Sequence, residues 1–342
     1  MINWQVLDCP VYPYLEKFPQ RKSGIERVIG ASSEEERAIL RSFRGMLQHQ
    51  RFEEYERKKT PKEAMIIDAV LRYLPEFIAQ YGGTPVADVP PEVIHILDEG
   101  KLTEEERVEL AEEGTAGGYL PHRQQAIVVP HQHSRLKTTE RITHELMHLE
   151  SFSSFDLPSN MEGTRTAKQG GPGITVGESE LFPRRIGLSV FDETHGTRFF
   201  RDLDEAVIEE LTIRFDQKYF AEIPILQEEI AAREAFKKDV DGDTREILSC
   251  ITRQEEDGTW TSTVHEYAYS QFREYLWSLI DQIYERNRDQ FESREEIFAV
   301  FAKAVLTGRL LELGRLIEKT LGKGAFRTLG QRTGIEAPED MP

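Results

Sequence analysis

Apolar positions in this chain recur at helical spacing over long stretches and alternate over a few short ones. The clearest helical face is Met65, Ile66, Val70, Leu71, Leu74, Phe77 and Ile78. Thr60-Pro61 ahead of it offers an N-cap with proline at the first helical position, and Gly82-Gly83 behind it offers a stop, so a helix is predicted between them. After Asp202 the pattern predicts helices at 204–238, 262–288, 293–306 and 308–321. Their stripes Phe272, Leu276, Leu279, Ile280, Ile283 and Ile297, Phe298, Phe301, Val305 are expected in a core. Between these helical regions Val93–Leu97 and Gln125–Pro130 read as strands, the second closed by a proline that suits a sheet edge. An acidic helical stretch, Thr103–Glu113, lies between them, and Ile174–Val176 with Ile186–Val190 is expected to form a β-ribbon. The pattern therefore predicts an α+β, predominantly helical fold. Its parts are an N-terminal helical region 1–88, a middle unit 89–200 with a small mixed sheet, and a helical C-terminal subdomain 201–342.

One helix in the middle unit carries a chemistry of its own. His144-Glu145-Leu146-Met147-His148 reads HExxH, and residues four apart on a helix project from one face at a separation one metal ion can span. Zinc suits two imidazoles, and Glu145 is placed to take a proton from an activated water. Thr138 and Thr139 are available as N-caps with Glu140 in the first turn, while Ile142, Leu146, Met147 and Leu149 would pack inward as the histidines face a cleft. A catalytic zinc usually has three protein ligands, so a third is needed. Asp204-Glu205-Ala206-Val207-Ile208-Glu209-Glu210 supplies it, because Glu205 and Glu209 share a helix face. One can bind the metal while the other accepts the free ring N–H of a ligand histidine.

On these residues the chain resembles the gluzincin group of zincin metallopeptidases, in which HExxH on one helix is completed by a glutamate on a second. The resemblance covers roughly a third of the chain, with HExxH as its specific part. The group's Asn-Glu-x-x-x-Asp is similar to Asp204-Glu205-x-x-x-Glu209, which implies Glu205 as ligand and Glu209 behind His144 or His148. Both flanking positions depart from the group's residues, so Glu209 and Glu210 stay open as ligands. The resemblance also implies that Ala126, Ile127, Val128 and Val129 pair with extended substrate, and that a Tyr or His of the C-terminal subdomain steadies the oxyanion. His265, Tyr267 and Tyr269 are the candidates for that donor, His265 and Tyr267 foremost. The implied activity is zinc-dependent hydrolysis of peptide bonds with Glu145 as general base, on a peptide or protein substrate. The alternatives are a metal-stabilised interaction module without catalysis and a hydrolase of a non-peptide amide.

Other patterns are weaker. His131 and His133 alternate as a strand end would, and Leu149-Glu150-Ser151-Phe152-Ser153-Ser154-Phe155 lacks the glycine and third histidine of the metzincin extension. Gly170-Gly171-Pro172-Gly173 lacks a phosphate-loop lysine, and the stretch 163–177 is expected to be a mobile loop near the cleft. Asp239-Val240-Asp241-Gly242-Asp243 has its glycine two positions too early for a calcium loop. A net charge of −18 argues against nucleic acid as a partner. Cys9 and Cys250 form no metal spacing or disulfide framework. Met1–Asp8 lacks a basic region followed by an apolar run, and no stretch reaches the roughly 18 apolar residues of a membrane span, so a cytoplasmic protein is expected.

Overall fold

A computed structural model describes residues 55–85, 89, 91–101, 127–156, 182–192, 197–241, 244–254 and 260–331. Most of the charged segment 1–60, Cys9, the stretch Thr103–Glu113, Ala126 and the glycine-rich 163–177 with Ile174–Val176 lie outside the described residues. Among the described residues helices predominate and the sheets are small. No helix there is long and apolar enough to cross a membrane.

Helix α1 (Pro61–Gln80) begins with a full capping box. Thr60 Oγ1 accepts from Glu63 N at 3.2 Å, and Glu63 Oε2 accepts from Thr60 N at 2.7 Å. It buries Ile66, Ile67, Val70, Leu74, Phe77 and Ile78, whereas Met65 of the predicted face is exposed. Strand β1 (Ile94–Leu97) pairs in parallel with β2 (Ile127–Pro130), Ile94 opposite Ile127.

Helix α2 (Arg135–Glu150) carries the HExxH string and starts earlier than the threonines suggested. Ser134 is the cap, its Oγ accepting from Lys137 N at 3.1 Å. Thr138 and Thr139 sit inside the helix and donate to the carbonyls of Ser134 and Arg135, four residues back, so their hydroxyls are already committed and Glu140 is beyond the first turn.

Glu56 bridges Leu97 of β1 in antiparallel fashion on top of the parallel pairing with β2. A separate antiparallel sheet runs in the order β3 (Ser153–Asp156), β4 (Phe182–Ile186), β5 (Ser189–Asp192), β6 (Thr197–Phe199). The run Ile186–Val190, read as one strand, bends at Gly187, whose φ of 55° is left-handed and places it in the β4–β5 turn.

Helix α3 (Arg201–Tyr219) and helix α4 (Gln227–Asp239) replace the single helix predicted at 204–238; short 3₁₀ turns at Phe220–Glu222 and Pro224–Leu226 break it, the second with Pro224 at its start. Residues 262–266, expected to open a helix, belong to the antiparallel hairpin β7 (Ile247–Gln254) and β8 (Trp260–Glu266). Alternating β-branched residues in Trp260-Thr261-Ser262-Thr263-Val264 explain the change. Helices α5 (Ser270–Arg286), α6 (Arg294–Thr307), α7 (Leu310–Leu321) and α8 (Ala325–Gln331) complete the chain.

One continuous apolar core joins all three predicted segments. It takes Phe77 from α1, Leu146 and Met147 from α2, Val207 and Leu211 from α3, Ile280 from α5 and Phe298 and Phe301 from α6. Helices α2 and α3 run through it, so the acidic face Asp204, Glu205, Glu209 and Glu210 is buried rather than solvated. Burying ionised carboxylates costs several kcal/mol each unless they are paired, so the partners of these groups define what the interior is built to hold.

Candidate metal centre

His144 and His148 stand one turn apart on α2, their ring centroids 4.9 Å apart and the rings at 70°. Both are buried, His144 at 1% and His148 at 7% exposure. Glu205 reaches them from α3, its Oε2 lying 3.2 Å from His148 Nε2 and 3.4 Å from His144 Nε2. An ion about 2.0–2.1 Å from each of two ligands in a tetrahedral arrangement holds those ligands about 3.3–3.4 Å apart. Two imidazole nitrogens and a carboxylate oxygen at that separation form a donor set that fits a divalent metal ion.

Behind these groups stands a second layer. Glu209 Oε2 is 2.6 Å from His144 Nδ1, and since an ionised carboxylate only accepts, the ring N–H must be on Nδ1. Once the ring is neutral, that tautomer leaves the Nε2 lone pair on the side of Glu205, free for a metal ion. Glu209 is itself held, because Ala268 N donates to its Oε1 at 2.9 Å. Ala268 lies in the corner between β8 and α5, and the next residue, Tyr269, stacks on the His144 ring at 5.6 Å and 20°. Tyr269 has φ 56°, a left-handed conformation uncommon for a residue with a bulky side chain, and this turn of the backbone marks the corner.

The electrostatics follow from burial opposed by pairing. Burial pushes the His144 ring down, but its hydrogen bonds to Glu205 and Glu209 hold it well above the usual histidine range. Burial pushes Glu205 up, and the charges and hydrogen bonds of His148 and His144 hold it well below the usual carboxylate range. Protonated imidazole thus carries the positive charge that the buried carboxylates require, and a bound cation would take over that role. Glu145, 5% exposed, is raised by burial against the pull of His144 and His148. Glu140, one turn before His144, is fully enclosed and pushed up to about 7 by burial, with the Arg141 charge opposing. Glu140, His144 and Glu209 form a second group of metal-capable donors. His144 Nδ1 is committed to Glu209 there, so the first group is the better one.

No protein-family model matches the chain, and neither curated proteins nor solved structures give a match. The site is therefore read from its own residues.

The remaining candidates lie elsewhere. Glu210 turns away, its Oε2 accepting from Arg273 Nε at 3.3 Å and from Trp277 Nε1 at 3.2 Å on α5. Asp204 accepts from Leu188 N at 2.7 Å and from Ser189 Oγ at 3.2 Å, fixing α3 to the β4–β5 turn. His265 hydrogen-bonds through Nδ1 with Ser249 Oγ across the β7–β8 hairpin, at 2.9 Å. The Tyr267 hydroxyl donates to Asp216, which is paired with Arg233 at 2.6 Å. His265 is thus engaged through Nδ1 and Tyr267 through its hydroxyl, and Tyr269 is the residue of that segment stacked on His144. His131 and His133 contact each other edge-on at 5.6 Å and belong to no metal-capable group among the described residues. Ile127, Val128 and Val129 are buried, main chain included. Sequence reasoning passed over Ala268, which acts through its backbone and leaves no side-chain signal.

Proposed function

We propose that this chain is a zinc-dependent metallopeptidase of the gluzincin type, with α2, α3 and the neighbouring strands as its zincin-like unit. The observation that carries this reading is the convergence of Glu205 Oε2 on both Nε2 atoms at 3.2 and 3.4 Å, within an HExxH helix. His144, His148 and Glu205 would hold the zinc. When bound, zinc polarises a carbonyl and lowers the pKa of water, which is the chemistry that amide hydrolysis lacks at neutral pH.

The chain's own residues supply the rest. Glu145 takes a proton from the attacking water as the water oxygen bonds to the peptide carbonyl carbon. The C–N bond then breaks, and the same carboxyl passes its proton to the departing nitrogen. Glu209 keeps the proton of His144 on Nδ1 throughout. Tyr269 lies against His144 in the corner that the resemblance associates with the oxyanion donor.

The test compares wild type with Glu145→Gln for zinc content and for hydrolysis of a peptide library. Equal zinc in both, with turnover reduced by about 10²-fold or more in the variant, is the expected outcome. Equal turnover would remove the mechanism.

A further inference from the structure

Counting along α2 from Arg141, the residues three, four and seven on are His144, Glu145 and His148. Arg141 therefore lies on the helix face that carries the proposed ligands and base, one turn before them. Its side chain is 10% exposed, and its Nε is 3.4 Å from Glu140 Oε2. That approach is an ion pair without a hydrogen bond: among the described residues neither Nε nor Nη1 of Arg141, nor either carboxylate oxygen of Glu140, has a hydrogen-bond partner. A guanidinium is always charged and presents its donors in a fixed fork. Buried donors left unmade are costly, and folds rarely retain them without a use.

The surroundings suggest the use. Arg141 and the proposed base Glu145 stand one turn apart on the same face of α2. Lys137, one more turn back and only half-buried, is pushed down by burial and then by the Arg141 charge. His265 on β8 is held below the usual histidine range by burial, then by Lys137, with a smaller contribution from Arg141. In a chain of net charge −18, Arg141 and the partly exposed Lys137 are two cations one turn apart beside a metal-capable group. A second metal ion on Glu140, His144 and Glu209 is the competing reading of the same region. It is disfavoured by a guanidinium 3.4 Å from Glu140.

We propose that Arg141, flanked by Lys137, anchors a carboxylate of the substrate on the C-terminal side of the bond that is cut. The inference rests on the metallopeptidase reading and narrows its substrate class. One helical turn is about 5.4 Å and an extended residue spans about 3.3–3.6 Å, so the carboxylate stands one or two residues beyond the scissile bond. The planar fork matches a carboxylate in two-pronged fashion. That carboxylate is either the chain terminus of a short peptide or an Asp or Glu side chain.

The experiment is calorimetric titration of the zinc-loaded full chain carrying Glu145→Gln, which on the reading above binds without turnover. The probes are acetyl-Ala-Ala, its C-terminal amide and acetyl-Ala-Asp amide. The expected result is about 10- to 100-fold tighter binding of a carboxylate-bearing probe than of acetyl-Ala-Ala amide. Preference for acetyl-Ala-Ala assigns the site to a terminal carboxylate, and preference for acetyl-Ala-Asp amide assigns it to an acidic side chain. Adding Arg141→Gln should erase the preference, while Arg141→Lys, which keeps charge without the fork, should retain part of it. Equal binding of all three probes overturns the proposal without any Arg141 variant, and so does a preference that survives in a folded Arg141→Gln protein. Sustained heat from turnover in the Glu145→Gln background would instead count against the catalytic reading and leave Arg141 to be judged by the probe preference.

Discussion

Glu209 hydrogen-bonds to His144 and accepts from the Ala268 amide, and it decides which nitrogen of His144 is free. Replacing it with glutamine leaves a side chain that can donate as well as accept, so the tautomer is no longer enforced. Zinc affinity of Glu209→Gln should fall about 10- to 100-fold, as read by competition with a chromophoric chelator. Loss of Glu205 as a ligand should cost more than that, and an equal effect of the two variants would point to a different third ligand. Proton linkage supplies a second check. His144 is held well above its unfolded value near 6.5, so in the metal-free chain its stabilisation is complete below that value and is lost as pH rises through the folded pKa. Glu205 is held well below 4.5, so its stabilisation is present above that value and is lost as pH falls through its folded pKa. Zinc must displace the imidazole proton, and its apparent affinity should therefore rise from pH 6 to pH 8 with measurable proton release on binding.

At the scale of elements, the position of α2 is set from a distance. Glu229 of α4 accepts from Ser134 Oγ at 2.8 Å, Arg135 N at 3.0 Å, Arg135 Nε at 2.8 Å and Leu136 N at 3.0 Å. A carboxylate at the positive end of a helix satisfies amides that the first turn leaves open. Glu229→Gln should cost about 1–2 kcal/mol in urea unfolding at neutral pH. Burial raises Glu229, but Arg135 and the backbone amides hold it below 4.5, so this contribution is present above 4.5 and lost as pH falls through the folded pKa. The difference between wild type and variant should shrink as the pH is lowered, and a constant difference would argue that the charge is irrelevant.

Elements with local signals were the legible ones. Thr60, Pro61 and Gly82 mark α1 because a cap is a contact between near neighbours. The start of α2 was misplaced because Ser134, Thr138 and Thr139 all offer cap hydroxyls, and the Glu229 carboxylate that meets the Arg135 and Leu136 amides comes from far along the chain. For the same reason the two histidines could be read from spacing, while the choice among Glu205, Glu209 and Glu210 could not: it depends on which side of α3 meets α2. His265, Tyr267 and Tyr269 look alike in sequence, and only the end of β8 and the left-handed turn at Tyr269 decide which one meets His144.

For the whole molecule, the continuous core argues that α1 folds with the rest and is not a detachable arm. Phe77 packs edge-on against Phe215 of α3 at 5.3 Å and against Tyr219 at 6.2 Å, the same helix that carries Glu205. Phe77→Ala should destabilise the protein by about 3–5 kcal/mol. The loss should appear as one shifted transition by calorimetry and circular dichroism alike. A separate low-temperature transition would show that α1 unfolds on its own.

The Ala268 amide has a consequence in time as well as in space. It orders Glu209, and through it His144, from 268 − 144 = 124 residues downstream of that histidine. At about 5–20 residues per second, a ribosome needs about 6–25 s to travel that distance. Throughout that interval the growing chain already contains its HExxH string without the corner that orients it. The arrangement delays the ordering of His144 until most of the protein that encloses it has been made.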